Sequence, residues 1–145
     1  MIGAFDRSIM IACIFTIDYE IYGNGEGDLR ELVFDPTQRL TELFDKWNAK
    51  FVNFVEAAEF EKIEEYRTDD AIGDIRKQIR HLYEQGHEVA LHLHPQWFNA
   101  RHQQGKWLLD STEYNLCALP LEQITRLVNQ AVRYLSEVEI GRAHV

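Results

Sequence analysis

The sequence predicts an α/β fold of parallel strands with helices packed outside them, and three observations predict it. A continuously apolar run, Ile9 to Ile17, is bounded by charge and reads as a strand buried on both faces. Two further short runs, Phe51–Val55 and Glu88–Leu93, read as strands, and segments of helical periodicity lie between and after them. The order β, loop, α, β, α, β, loop, α is a series of βα units, which implies parallel strands in a barrel or a doubly wound sheet.

After the first strand, Gly23, Gly25 and Gly27 mark a loop within Tyr22–Asp28. Asp35-Pro36-Thr37-Gln38 reads as a helix start, with Asp35 as N-cap, Pro36 at the first helical position and Gln38 closing a capping box. Leu40, Leu43, Phe44 and Trp47 then form an apolar face. Ala57–Tyr66, after the second strand, is mixed and strongly acidic, compatible with a short helix or an ordered loop. From Asp69 or Asp70 a helix turns Ile72, Ile75, Ile79 and Leu82 inward and ends at Gly86. Asn99–Tyr114 reads as a long excursion, and Pro120 opens a helix with Leu121, Ile124, Leu127, Val128, Ala131 and Leu135 as its stripe.

The 145 residues suit one domain with a real core, and 46% hydrophobic with 12% aromatic residues argues against disorder. A net charge of −9 argues against a nucleic-acid partner or an anionic membrane surface. Cys13 and Cys117 lack any CxxC spacing, so neither a disulfide framework nor a zinc knuckle is indicated, and Cys13 reads as a core residue. The first apolar run is too short for a membrane helix of ~20 residues and lacks signal-peptide features, so the expected compartment is the cytoplasm. Met10 is an alternative native start. Ile140-Gly-Arg-Ala-His-Val145 is the translation of ATCGGAAGAGCACACGTC, a common sequencing-library adaptor. Residues 140–145 are therefore expected to be an artefact, His144 no ligand, and the domain to run from 10 to 139.

Chemistry is expected at the carboxyl edge of the strands, where such folds gather their sites. Two clusters fall there, Asp18-Tyr19-Glu20 and His92-Leu93-His94. Residues two apart in extended chain point to one side, so Asp18 can face the same spot as Glu20, and His92 the same spot as His94. Two imidazoles with a carboxylate suit a divalent metal, Zn²⁺ above all, and a second carboxylate can serve as general base. Metal coordination lowers the pKa of water from about 15.7 toward ~7, which suits hydrolysis of an amide or ester. A structural HxH pair and turn-forming carboxylates are the plainer alternative.

The segment Phe15-Thr16-Ile17-Asp18-Tyr19-Glu20-Ile21-Tyr22-Gly23-Asn24-Gly25-Glu26-Gly27-Asp28 resembles the first motif of the NodB-homology polysaccharide deacetylases, in their WbmS-like branch. Gly86-His87-Glu88-Val89-Ala90-Leu91-His92-Leu93-His94-Pro95-Gln96-Trp97 resembles their histidine motif. The resemblance, spanning about Met10 to Ser136, implies an incomplete (β/α) barrel and a metal-dependent hydrolase that removes acetyl groups from an N-acetylated sugar or surface-glycan precursor. Asp18 matches the family's catalytic base. Tyr19 stands where the family has its carboxylate ligand, so that role passes to Glu20. His92 matches the first histidine ligand; Gln96 stands where the second falls, so that role passes to His94. Trp97, Gln96 and Tyr19 are assigned to a small-molecule or glycan substrate. The later motifs, including a general-acid histidine, fall beyond this chain, which implies an inactive fragment.

Other residues invite readings. The three glycines lack a following Lys-[Ser/Thr] or helix, so a loop beside the site is expected rather than a phosphate cradle. Trp97, Phe98 and Trp107 suit either sugar stacking or core packing. His81 and His87 flank a helix end and read as surface capping groups, and His102 reads as exposed. Glu56 and Glu59 read as a solvated acidic loop, with lining of the pocket as the alternative. Two rival functions share these residues: a metal-independent amidohydrolase using Asp18 and histidine, and a non-catalytic carbohydrate-binding domain.

Overall fold

The computed structural model describes residues 12–23 and 25–140. Three short strands, β1 (Thr16–Tyr19), β2 (Val52–Glu56) and β3 (Glu88–His92), pair in that order as a parallel sheet. The register aligns Asp18 with Phe54 and Ala90, and Glu56 with His92. Among the described residues four α-helices accompany it: α1 (Asp35–Lys46), α2 (Ala57–Tyr66), α3 (Ile72–Glu84) and α4 (Leu121–Ile140). The chain is thus a mixed α/β fold with parallel strands.

The sheet's two faces differ. Tyr19, Asn53 and Val55 share a buried face, whereas Thr16, Asp18 and Glu88 on the opposite face are exposed. Helices α2 and α3 lie on the buried side: the Tyr19 ring meets Phe60 of α2 edge-on at 5.6 Å, and its hydroxyl donates to Gln78 of α3 at 2.6 Å. Ile75, Ile79 and Leu82 of α3 are buried at helical spacing, each contributing about 1.5–3 kcal/mol. Gly86, at φ +83°, ends the α3 segment in the left-handed conformation that glycine adopts without steric cost.

Several expectations need correction. The first strand begins at Thr16: Ala12–Phe15 are exposed and outside the sheet, and Cys13 is exposed rather than core. Neighbouring β2 begins only at Val52, so Ala12–Ile14 have no strand beside them. Ile9–Ile11, the alternative start Met10 and residues 141–145, His144 included, lie outside the described residues.

Asp35 is not a cap. The helical segment starts at Leu29, and Asp28, whose carboxylate accepts the Glu31 N–H at 2.9 Å, closes its N-terminus. A π-helical turn, Arg30–Phe34, leads into α1, with the Asp35 N–H bonded to the Arg30 carbonyl. The cause is Pro36, which has no N–H for the carbonyl four residues back. The longer helix also rotates the expected face: Thr37 and Thr41 are buried, while Leu43 and Trp47 are exposed.

Ala57–Tyr66 is fully helical, and the Asn99–Tyr114 excursion contains an antiparallel hairpin, β4 (Arg101–Gln103) with β5 (Lys106–Leu108). Its two-residue turn, Gln104-Gly105, has positive φ at both positions, the geometry that matches strand twist. In α4, Leu127, Ala131 and Leu135 are buried as expected, but Leu121 is exposed. His87 is buried rather than capping, its Nδ1 accepting the Phe51 N–H at 3.3 Å; burial holds its pKa below the ordinary histidine value. His102 is half-buried against Tyr66 and Trp107. Among the described residues, no helix is long and apolar enough to cross a membrane.

Candidate metal centre

The carboxyl ends of all three parallel strands converge on one cluster. Glu20 directly follows β1, Glu56 ends β2, His92 ends β3, and His94 stands two residues beyond. Each offers one ligand atom, and these four atoms lie within 4.8 Å of one another. The Glu20 carboxylate is 3.0 Å from Nε2 of His94 and 3.7 Å from Nε2 of His92, and the two Nε2 atoms are 2.9 Å apart. Two ring nitrogens and a carboxylate oxygen therefore crowd one point.

This donor set suits a metal ion. Tetrahedral ligands at ~2.0–2.1 Å from zinc stand about 3.3 Å from one another, close to the spacings seen among Glu20, His92 and His94. Without an ion, the His92 and His94 nitrogens can share at most one hydrogen between them in their neutral forms.

Charge follows the geometry. The hydrogen bond to His94 lowers the Glu20 pKa below the usual carboxylate range, against some desolvation; the nearby imidazoles lower it further. The same bond raises that of His94, and Asp18 adds to the effect. Asp18 itself is exposed on the open face of the sheet, one pleat before Glu20.

Glu56 and Glu59, read from sequence as a solvated acidic loop, are both fully buried. One Glu56 oxygen accepts the Ala58 and Glu59 N–H groups, capping α2, and the other accepts the His94 backbone N–H at 2.6 Å. Burial pushes the Glu56 carboxyl up to about 9, with the backbone donors opposing it. Glu59 accepts the Ile21 N–H at 2.9 Å and so fixes the backbone just after Glu20; burial pushes it up to about 8. The signal for Glu56 was its place: it stands at the carboxyl end of the second strand, as Asp18 and Glu20 stand at that of the first and His92 at that of the third.

A cavity of about 700 Å³ opens beside the loops that carry the cluster, and Glu20, Glu56, His92 and His94 themselves do not line it. Ile21 and Gln96, neighbours of Glu20 and His94 in sequence, line it, as do His102, Trp107 and Tyr114. The Tyr114 ring lies 6.4 Å from that of His94. Gln96 is buried, and among the described residues its Oε1 has no hydrogen-bond partner. Trp97 is buried in the core, 5.1 Å from Trp107, and Gly25 lies against both. Tyr19, assigned from sequence to substrate, spends its ring and hydroxyl in the core; burial raises its pKa beyond the ordinary tyrosine value. The structure thus gathers Glu20, His92 and His94, adds Glu56, sets Gln96 at the cavity and keeps Tyr19 and Trp97 in the core.

Comparison with family models, with curated proteins and with solved structures gave no match to this chain.

Proposed function

We propose that this chain forms part of a metal-dependent hydrolase that removes acetyl groups from an N-acetylated sugar or surface-glycan precursor. The observation that carries the reading is the convergence of the Glu20 carboxylate on both His92 and His94 within 3.7 Å. Glu20, His92 and His94 would hold a divalent ion, Zn²⁺ first. Bound there, the ion would polarise the amide carbonyl and bring the pKa of water toward ~7.

The chain's own residues supply the rest. Asp18, exposed on the same sheet face as His92, takes the proton as base. Glu56 and Glu59 fix the backbone on either side of the cluster by accepting the N–H groups of His94 and Ile21. The adjoining cavity receives the sugar, with Gln96 and Trp107 in its wall and Trp97 packed behind Trp107. In this reading the uncovered sheet face is the inner face of an incomplete (β/α) barrel of the polysaccharide deacetylase type. The exposed free cysteines Cys13 and Cys117 accord with a cytoplasmic location.

The test is zinc content after purification, with loss in Glu20→Ala and His92→Ala. It is joined to an assay of the complete gene product on an N-acetylated amino sugar. Deacetylation abolished by chelator and by Asp18→Asn is expected. Amide hydrolysis undiminished by chelator would overturn the metal and favour the second reading, a metal-independent amidohydrolase. That reading draws its support from the Glu20–His94 ion pair, which can orient an imidazole for proton transfer without an ion.

A further inference from the structure

Glu56 has no role in the ligand set just proposed, yet it is a fully buried carboxylate beside those ligands. A carboxylate has about four acceptor positions. The N–H groups of Ala58, Glu59 and His94 fill three of them, two on one oxygen and one on the other. One lone pair remains, on the oxygen that faces the His94 backbone. No lysine or arginine within the described residues forms an ion pair with this side chain. Burying an anion without a compensating cation is costly, and natural sites meet that cost by keeping the proton, by a partner charge or by a metal. A Glu56 oxygen lies within 4.8 Å of the ligand atoms of Glu20, His92 and His94.

We propose that Glu56 is a fourth ligand, so that the cluster takes a divalent transition-metal ion between two carboxylates and two imidazoles, with a fifth position for water. The inference rests on the metal reading above and extends it. Three adjacent parallel strands then each deliver donors to one ion: Glu20 from the end of β1, Glu56 from β2, and the histidines from β3. Two carboxylates with two neutral imidazoles balance a 2+ charge, which suits Zn²⁺, Co²⁺, Mn²⁺ or Fe²⁺. The three backbone hydrogen bonds hold the Glu56 carboxylate in place before any ion arrives.

The probe is Co²⁺ added to metal-free protein, followed by its visible ligand-field absorption and by stoichiometry. Wild type is expected to bind one Co²⁺ per chain. Glu56→Gln, lacking the anionic oxygen, is expected to bind at least ~100-fold more weakly with a changed spectrum, and His81→Ala, on the surface, to match wild type. Wild-type affinity and an unchanged spectrum in Glu56→Gln, with binding still lost in His92→Ala, would overturn the fourth ligand and leave the three-residue site standing. No Co²⁺ or Zn²⁺ binding by wild type would overturn both. Because Glu56→Gln also disturbs the α2 cap, wild-type crystals soaked in Zn²⁺ supply a second measurement. A Glu56 oxygen within ~2.2 Å of the zinc peak supports the proposal, and one beyond 3.5 Å overturns it.

Discussion

The Glu20 carboxylate stands 3.0 Å from Nε2 of His94, joining the end of the first parallel strand to the loop after the third. The two groups lie 74 positions apart in sequence (94 − 20), and the sheet register brings them together across β2. Each stabilises the charged form of the other.

In metal-free protein that coupling has a definite pH window. The Glu20 pKa is lowered below its ordinary 4.5, so its contribution is present above 4.5 and lost as pH falls through the folded value. That of His94 is raised above 6.5, so its contribution is present below 6.5 and lost as pH rises through the folded value. The pair therefore stabilises most between 4.5 and 6.5. Glu20→Gln is expected to lower the His94 pKa, read by NMR titration of the ring; an unmoved titration would show that the contact does not persist in solution.

Glu59 predicts the opposite trend. Burial pushes its carboxyl up to about 8, so the stability of the neutral form is present below 4.5 and declines as pH rises toward 8. Glu59→Gln keeps an acceptor for the Ile21 N–H and removes the ionisation. In urea denaturation, the variant is expected to gain at least ~1 kcal/mol on wild type between pH 5 and pH 8.5. Parallel curves for the two proteins would contradict the burial of this group.

Gly25 packs against the wall of the cavity. A Cβ there would stand 2.5 Å from the Trp97 ring and 3.0 Å from that of Trp107, at φ +73°. Gly25→Ala is expected to cost about 2 kcal/mol or more and to shift tryptophan fluorescence. Gly23→Ala, at φ +87° with none of the described residues within 4 Å of the added Cβ, carries backbone strain alone and serves as the control. Equal losses and unchanged fluorescence in both would show that the loop does not rest on the tryptophans.

Asn53 lies in the middle of β2, fully buried, with neither side-chain amide atom hydrogen-bonded among the described residues. An unsatisfied buried polar group costs about 1–3 kcal/mol. Asn53→Val, a β-branched residue suited to a strand, is expected to raise the melting temperature. A fall would mean that Asn53 has a partner, such as a buried water.

The strand-end clusters were legible because alternation needs only adjacent residues: Asp18, Glu20, His92 and His94 stand out at the ends of apolar runs. Glu56 carried the same signal, but the acidic stretch Glu56–Glu65 around it looked like solvated surface. Its buried side becomes visible only when Phe60 and Ile63 are seen packed inward on α2. The Asp35-Pro36 signature misplaced a helix start, because a proline can also sit about two turns inside a helix that widens to accommodate it.

Sequence by itself determined the alternation of strands and helices, the direction of the sheet and the residues able to bind a metal, since these follow from local periodicity and side-chain chemistry. Only the tertiary structure decided which side chains share the site and which are spent in the core. Glu56 joined the histidines and Tyr19 turned away from them. Register between strands sets those neighbours, and register is fixed by the packing of the whole sheet against its helices.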